Sequence, residues 1–286
     1  MLELAVHVRD LDGLAGARDL ACGWAGAGGD AVVSRIYIGD EFCFHRLPGL
    51  ADLKTLLQAA EAGGYGLTLL TPVLTDPQMA RAAPLFAYLR ACRPDTEVVF
   101  NDWGVMTLLR ERFELPNLAA GRMLNKGFKD PRLADAASIA AISPEARELL
   151  NSDTFHDAGF QRRMRRLQVR RLEYDLPPYG DDADIGCGLM PAAVYFPLGT
   201  ITSGRVCWMA GFGRPAREKF VPAKVCARRC NARALKMASP DFALPVFQNG
   251  NTIFYRYSDA RLSRLGVRAR AEKVRLVYQG AAMGIP

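Results

Sequence analysis

The sequence predicts an α/β protein built on a (β/α)₈ TIM-type barrel. Short apolar runs bounded by turn residues alternate with stretches of helical period, as in repeated βα units around a parallel sheet. Eight runs have the composition of strands, and most of their connections are helical. The length of 286 residues accommodates a barrel of about 250 residues together with one insertion.

The first half of the chain shows the alternation most clearly. Predicted strands cover Leu2–Val8, Val33–Ile38, Leu67–Thr71, Glu97–Phe100 and Asn117–Ala120. Helical periods fill the connections, namely Leu14–Trp24, Ala51–Ala62, Pro77–Cys92 and a helix capped by Asp102 that runs to about Arg112. Five strands are therefore predicted within the first 120 residues.

The second half supplies three more strands and one long excursion. Strand composition recurs at Val169–Asp175, Ala192–Phe196 and Val274–Tyr278, while Lys126–Asn151 is alanine-rich and helical. The excursion, from about residue 199 to 266, holds three of the seven cysteines and a predicted hairpin at Thr252–Tyr257. We therefore predict a single barrel domain over residues 1–286 with this insertion before the last strand.

The composition excludes several classes of protein. Half of the residues are apolar and 23% are charged, which is typical of a globular chain and not of a disordered one. No run approaches the ~18 apolar residues of a membrane helix, and charges interrupt the N-terminus where a signal peptide is apolar. We expect a soluble, cytoplasmic protein whose cysteines are thiols in a reducing compartment.

Basic residues are concentrated in two segments. Between Arg205 and Lys236 nine basic residues face one acidic residue, so this segment alone carries a net charge of +8. A second run contains Arg162, Arg163, Arg165, Arg166, Arg170 and Arg171. Such runs are typical either of a solvated helix face or of a site for anions or nucleic acid, and both interpretations stay open.

The cysteine spacing favours a metal site. Cys226 and Cys230 have three residues between them, a spacing of i and i+4 that brings both sulfurs to one side of a helix or tight loop. Cys207 and a fourth ligand would complete a four-cysteine site for zinc or for an iron–sulfur cluster. Cys43 follows the second strand at the mouth of the barrel and is the preferred fourth ligand, with Cys187 as its rival. Buried thiols without metal are the alternative.

Other polar residues have structural as well as functional interpretations. Asn101 and Asp102 follow the fourth strand and Asn125 follows the fifth, so all three are candidates at the barrel mouth, with helix capping as the alternative for Asp102. His7 lies within the first strand and is predicted to be structural or solvated. Cys22 and Cys92 fall in helical patterns and are predicted to be core or helix-end residues.

Motifs of several enzyme classes are missing from the chain. The sequence contains no G-x-S-x-G elbow, no H-E-x-x-H pair and no G-x-x-x-x-G-K-[ST] loop. These absences argue against serine hydrolase, zincin and P-loop chemistry. Nothing in the sequence supports peptidase activity.

Several stretches nevertheless resemble the collagenase-like peptidase family, U thirty-two, and within it the V-type subunits of oxygen-independent ubiquinone hydroxylation. The matching stretches are Ile36–Cys43, Asn101–Val105, the Leu124-Asn125 pair, Ser203–Cys207, the Cys226/Cys230 pair, Phe247–Gly250 and Val274–Gly280. The Glu-x-Phe-x-x-Gly signature of the peptidase-named and RNA-modifying branches is missing, because Ala193–Thr200 has no glutamate. The spacer from Cys207 to Cys226 is also longer than in the V type.

The resemblance implies a [4Fe-4S] cluster bound by Cys43, Cys207, Cys226 and Cys230. Arginines near this site, Arg205 among them, would offset the charge of the cluster or hold an anionic oxygen donor such as prephenate. We accordingly expect Arg205, Arg228 and Arg229 to lie around the cluster and not on a solvent-facing stripe with Arg162, Arg163 and Arg166.

The resemblance also implies a function. The leading hypothesis is an iron–sulfur subunit of an oxygen-independent hydroxylase in ubiquinone biosynthesis, forming a heterodimer with a second family member of the U type. The first alternative is an RNA hydroxylase acting on tRNA or rRNA. The second is a non-catalytic partner protein with a structural cluster.

Overall fold

The computed structural model describes residues 2–24, 31–133, 136–179, 185–219, 221 and 226–285. Its twelve strands are β1 (Leu2–His7), β2 (Ala31–Gly39), β3 (Gly66–Leu70), β4 (Glu97–Phe100), β5 (Leu118–Ala120), β6 (Arg171–Tyr174), β7 (Ala192–Phe196), β8 (Leu198–Ser203), β9 (Leu235–Met237), β10 (Val246–Asn249), β11 (Thr252–Arg256) and β12 (Arg275–Tyr278). Its helices are α1 (Leu14–Trp24), α2 (Leu50–Ala62), α3 (Asp76–Cys92), α4 (Trp103–Thr107), α5 (Ala136–Ala140), α6 (Pro144–Asn151), α7 (Ala158–Arg166), α8 (Trp208–Gly211), α9 (Ala216–Lys219), α10 (Asp259–Glu272) and α11 (Gly280–Met283).

Eight parallel strands close into a barrel in the order β1-β12-β7-β6-β5-β4-β3-β2, which confirms the predicted barrel. Helices surround it, and the pairing of β1 with both β2 and β12 completes the ring. The eight strands coincide with the eight predicted runs to within a few residues. Apolar strands that are buried on both faces produce this agreement, since such runs are recognisable without knowledge of their partners.

The barrel interior contains both apolar and polar layers. Ala5, Leu70, Val99, Ala193 and Val277 pack in one apolar cluster with the rings of Tyr37 and Tyr195. The outward faces of the strands pack against the helices, where Leu53 of α2, Phe86 of α3 and Leu265 of α10 belong to the largest cluster. The helices thus cover the outer surface of the sheet with apolar side chains, as expected for a parallel barrel.

Charged residues fill the amino-terminal end of the barrel, here called the floor. Arg275 donates to Glu97 at 2.5 Å and to Glu3 at 2.6 Å, and Glu173 accepts from the hydroxyls of Tyr37 and Tyr195. Burial by itself would raise the pKa of Glu97, but the guanidinium groups of Arg275, Arg35 and Arg171 together outweigh burial and lower it. The floor is therefore a buried cluster of mutually compensating charges.

A second sheet lies in the chain between β7 and α10. Its four strands are antiparallel in the order β8-β11-β10-β9. The predicted hairpin at Thr252–Tyr257 is wrong, because Thr252–Arg256 forms the single strand β11, which pairs with β10 across a turn at Gly250. Gly250 has a φ of +63°, a conformation that glycine adopts at no steric cost, and this turn explains where the hairpin is closed. Residues 220 and 222–225 of the excursion lie outside the described residues.

The helical prediction between β5 and β6 is refined by the structure. The alanine-rich region forms α5 and α6, although residues 134 and 135 lie outside the described residues. The helix predicted after Asp102 begins at Trp103, and after Thr107 it continues as a π-helical turn over Leu108–Arg112. Within the described part of the chain, no helix combines the length and the apolar character that crossing a membrane requires.

Candidate functional site

Polar residues gather near the barrel axis at the carboxyl-terminal ends of the strands, here called the mouth. Glu41 follows β2, Arg122 follows β5, Asp175 follows β6 and Gln279 follows β12. All four side chains are buried. Since the strands are parallel, residues that are distant in sequence meet at this end, where barrel enzymes place their sites.

Arg122 is the centre of this group. Its Nε donates to Glu41 at 2.7 Å, and its two terminal nitrogens donate to Asp175 and Gln279 at 2.6 Å each. The guanidinium also lies 3.8 Å from the centre of the Tyr195 ring. A planar guanidinium with several fixed donors holds its partners in one geometry. Arg122 therefore fixes the relative positions of four strand ends.

The two carboxylates beside Arg122 differ in their proton affinity. Burial would raise the pKa of Asp175, but Arg122 and Lys129 outweigh burial and hold that pKa at about 2. Burial prevails at Glu41 and raises its pKa to about 7, against the opposing charge of Arg122. Among the described residues, Glu41 Oε1 has no hydrogen-bond partner. Asp175 is thus an anion at neutral pH, whereas Glu41 exchanges its proton near neutrality.

Three of the four predicted cluster cysteines line one cavity of about 130 Å³, here called the cysteine cavity. Cys207 caps α8, and its sulfur accepts from the Ala210 amide at 3.4 Å. The Cys226 sulfur accepts from the Arg228 amide at the same distance. Cys230 is buried in a short 3₁₀ turn. Backbone amide donors of this kind favour a charged sulfur, as a metal ligand requires, although at Cys207 burial outweighs them and raises the pKa of the thiol.

Arginines border the same cavity. Arg214, Arg228 and Arg229 line it, and Arg229 donates to the carbonyl oxygen of Phe212 at 2.9 Å. Two of the three arginines predicted near the cysteines are therefore at the cavity. The third, Arg205, is exposed and does not belong to the cavity lining.

Cys43 lies on the turn that follows β2, close enough to Cys230 for an electrostatic interaction between the two thiols. Burial raises the pKa of the Cys43 thiol to about 12, and the charges of Asp40 and Cys230 add to this increase. The Cys43 amide donates to Asp40 at 2.8 Å, which fixes the turn. The structure thus brings the fourth predicted ligand within electrostatic reach of the cysteine cavity.

The turn between β10 and β11 joins the segments that carry these cysteines. Asn249 donates to the Cys230 carbonyl oxygen at 3.0 Å and accepts from Arg46. Asn251 donates to the carbonyl oxygens of Phe42 and Gly204, at 2.8 and 2.6 Å. Because Phe42 precedes Cys43 and Gly204 lies near Cys207, this turn links three distant parts of the chain.

The polar residues predicted at the mouth are hydrogen-bonded within the protein. Asn101 is buried, donates to the Thr71 carbonyl oxygen and accepts from the Met123 amide, both at 3.0 Å. Asp102 caps α4 by accepting from the Gly104 amide at 2.7 Å. Asn125 accepts from the Phe155 amide at 3.1 Å. These contacts hold neighbouring loops together, and they correspond to the capping interpretation for Asp102.

The remaining cysteines lie elsewhere. Cys187, the rival fourth ligand, is buried near Tyr174, and burial raises the pKa of its thiol to about 12. Cys22 and Cys92 are exposed, so the structure places them on the surface and not in the core. Cys92 is the last residue of α3 and therefore lies at a helix end, which is one of the two environments predicted for it.

Sequence reasoning missed a second and larger cavity at the mouth. This mouth cavity has a volume of about 400 Å³, and its lining includes His7, Arg9, Asp40, Arg46 and Arg228. His7 ends β1, Arg9 lies just after it, and Asp40 directly follows β2. The strand-end rule that selected Asn101 could have identified these residues too.

Comparisons with known proteins do not assign the chain. No family model matches it, and a search of curated proteins finds no match. Within the described residues, no group of three or more His, Cys, Asp or Glu side chains is arranged to hold a metal ion. The functional interpretation therefore depends on the two cavities and on the chemistry of the residues that line them.

Proposed function

We propose that this chain is an iron–sulfur protein in which Cys43, Cys207, Cys226 and Cys230 hold a [4Fe-4S] cluster at the barrel mouth. The observation that supports this proposal is the shared lining of the cysteine cavity by Cys207, Cys226 and Cys230. Cys43 adds a fourth sulfur whose charge interacts with that of Cys230. These residues come from three distant parts of the chain, which the fold brings to the same end of the barrel.

The arrangement of the sulfurs suits a cluster better than a single ion. In a [4Fe-4S] cluster each cysteine binds a different iron, so the ligands surround a volume and do not meet at one point. Thiols that border a cavity have this disposition. The cluster would be net anionic, and Arg214, Arg228 and Arg229 would offset its charge from the cavity wall.

The proposed activity is oxygen-independent hydroxylation, in ubiquinone biosynthesis and together with a second protein of the same family. Contacts at or beside the stretches that carry the family resemblance support this assignment. Phe247 packs in one apolar cluster with Phe42 of the stretch Ile36–Cys43. Asn251, which directly follows Phe247–Gly250, donates to the carbonyl oxygens of Phe42 and Gly204. A bound cluster would supply electron transfer, while Arg228 borders both cavities and would hold an anionic oxygen donor.

RNA is the alternative substrate, and one observation favours it. Helix α7 exposes Arg162, Arg163, Arg165 and Arg166 along its surface. Closely spaced exposed arginines are typical of contacts with phosphates, and such binding weakens steeply with salt. An RNA hydroxylase would use this helix to hold its substrate.

Anaerobic purification tests the cluster. We expect about four iron and four sulfide ions per chain and a brown colour. Serine at any of positions 43, 207, 226 and 230 should abolish or severely reduce the iron content, whereas Cys22→Ser and Cys92→Ser should retain it. Stoichiometric zinc, or full iron content in the variants of the proposed ligands, would contradict the proposal.

A deletion strain grown without oxygen tests the activity. Loss of hydroxylated quinones is expected, with restoration by the intact gene but not by the Cys230→Ser variant. Unchanged quinones together with loss of a hydroxylated nucleotide in tRNA or rRNA would favour the RNA alternative. If the strain shows neither defect, the remaining hypothesis is a non-catalytic partner protein.

A further inference from the structure

The cysteine cavity lies at the surface of the protein. Of the residues that line it, Phe212, Arg228 and Arg229 are exposed. Cys207 and Cys226 line the same cavity and are partly exposed. Phe212 is 49% exposed although it is a large apolar residue. The cavity therefore lies beneath a rim that combines arginines with an aromatic ring.

Two short helices extend this rim. Helix α8 begins at Trp208, which is 59% exposed. At the other end of α8, the Phe212 carbonyl oxygen accepts from Arg229 at 2.9 Å. Helix α9 packs against α8, where the backbone of Lys219 lies beside Gly211. These exposed side chains form one surface around the cysteines, here called the rim surface, which consists of Trp208, Phe212, Arg217, Lys219, Arg228 and Arg229.

The rim surface carries positive charge that the protein itself largely leaves unpaired. Lys219 and Arg228 are exposed, and no carboxylate in the described part of the chain lies within ion-pair distance of either one. Arg217 is 86% exposed and has a loose pair with its neighbour Glu218, at 3.9 Å. Arg229 donates to a neutral carbonyl oxygen. Because like charges repel one another, an acidic partner would stabilise this surface.

Carboxylates limit the positive surface on one side. Arg228 also lines the mouth cavity, together with the exposed residues Asp10, Asp12 and Asp52. A nucleic-acid strand that continued past Arg228 would bring its phosphates towards these carboxylates, which would repel them. A compact basic patch with two exposed aromatic rings suits the acidic face of a folded protein better, because arginine and aromatic residues are enriched at protein interfaces.

We propose that the rim surface docks a small acidic electron-carrier protein. Acidic side chains of the carrier pair with Lys219, Arg228 and Arg229. Its apolar side chains pack on Trp208 and Phe212. One electron passes from the reduced carrier to the cluster, so the carrier is oxidised and the cluster is reduced, and no bond forms or breaks. This electron transfer rests on the proposed function, whereas the docking itself does not.

A surface of this size is sufficient for such an encounter. Electron-transfer complexes are typically weak and bury less than about 1,200 Å² in total. Complementary charge gives them rapid association and a defined orientation more than high affinity. The partial exposure of Cys207 and Cys226 places the proposed cluster close to the surface that the carrier approaches.

Calorimetry tests the docking, using the full chain purified anaerobically. The probes are a plant-type [2Fe-2S] ferredoxin and a flavodoxin, which are acidic carriers, and cytochrome c, which is a basic one. We expect at least one acidic carrier to bind, with an affinity that falls about tenfold between ionic strengths of about 0.01 M and 0.15 M. Cytochrome c should not bind. Binding of neither acidic carrier, or equally tight binding of cytochrome c, would overturn the proposal.

Iron content measured on the same samples separates this proposal from the proposed function. An iron-free protein that binds an acidic carrier would support the docking surface and refute the cluster. An iron-loaded protein that binds neither acidic carrier would refute the docking surface alone.

Two matched pairs of variants locate the surface. Lys219→Glu should weaken binding of the acidic carrier about tenfold, whereas Lys273→Glu makes the same charge change just before β12, at the floor, and should not. Phe212→Ser should weaken binding about fivefold, whereas Val267→Ser, at an exposed position of α10, should not. Equal losses within either pair, or displacement of the carrier by an RNA oligonucleotide, would refute the docking surface.

Discussion

The two ends of the barrel each bury an arginine among carboxylates, yet they differ in how completely the polar groups are paired. At the floor, Arg275 is bonded to Glu3 and Glu97, and even the unpartnered Arg171 Nε lies 3.6 Å from a Glu97 oxygen. At the mouth, His7 Nδ1, Glu41 Oε1 and Arg46 Nε lack partners among the described residues.

This difference distinguishes buried charged groups that stabilise the fold from those that are available for function. Buried polar groups are normally satisfied, and those that are not require an explanation such as a ligand. The floor needs no ligand, because its charges compensate one another. The mouth adjoins two cavities, and His7 and Arg46 are among the residues that line the larger one.

The largest effect is expected from removing the central arginine of the floor. Arg275→Met takes from Glu97 its closest cation and from Glu173 the cation 4.0 Å away, so the free energy of unfolding should fall by about 3–5 kcal/mol in urea denaturation. Arg90→Met is the matched control, since its exposed pair with Glu114 should contribute less than about 1 kcal/mol. A loss below 1 kcal/mol in Arg275→Met would show that the floor is not the structural end.

A pH series sharpens the comparison at the mouth. His7 has a folded-state pKa of about 4 against 6.5 unfolded, so the unfolded chain binds more protons between these values. The contribution of His7 is therefore fully present above pH 6.5 and is lost as pH falls towards 4, by about 2–3 kcal/mol. Burial dominates this shift, with Asp40 opposing it and Arg122 and Arg9 reinforcing it.

Urea denaturation of the wild type and His7→Gln between pH 7 and 4 measures this contribution. The wild type should lose more stability than the variant over this window. Asp175 and Glu41 also have shifted pKa values, but both residues are present in the two proteins, so their contributions cancel when the curves are compared. Parallel stability curves for the two proteins would show that His7 does not titrate as a buried, neutral group.

The smallest expected effect distinguishes two arginines near the cysteines. Arg205→Ala should change stability by less than about 0.5 kcal/mol and leave the visible spectrum of the protein unchanged, because its side chain is exposed outside both cavities. Arg228→Ala should shift the reduction potential, because Arg228 lines the cysteine cavity. Equal shifts of the reduction potential in Arg205→Ala and Arg228→Ala would contradict this distinction. They would mean that the total charge of the basic segment sets the potential, and not the position of each arginine relative to the cysteine cavity.

The sequence was most informative about features that are local or strongly apolar. The strand at Val33–Ile38 and the cap at Asp102 could be predicted, because each depends on a few neighbouring residues. The hairpin was misplaced, since Thr252–Arg256 is apolar enough for a strand but its partner had to be inferred from the turn.

The site was less predictable because its contacts are long-range. Arg122 has no unusual neighbours in sequence, and its importance arises from partners on three other strand ends. Spacing selected Cys226 and Cys230 as a pair, and the resemblance added Cys43 and Cys207. The alternation of His7 within β1 predicted a structural or solvated residue, but only the fold shows that His7 lines a cavity.

The central claim is that the mouth holds a [4Fe-4S] cluster, and anomalous diffraction at the iron edge tests it most directly. Crystals of the anaerobically purified protein should show one compact iron peak in the cysteine cavity, bonded to the sulfurs of Cys43, Cys207, Cys226 and Cys230. An iron peak bound by other residues, a zinc peak at this place, or four free thiols without anomalous density between them would contradict the account.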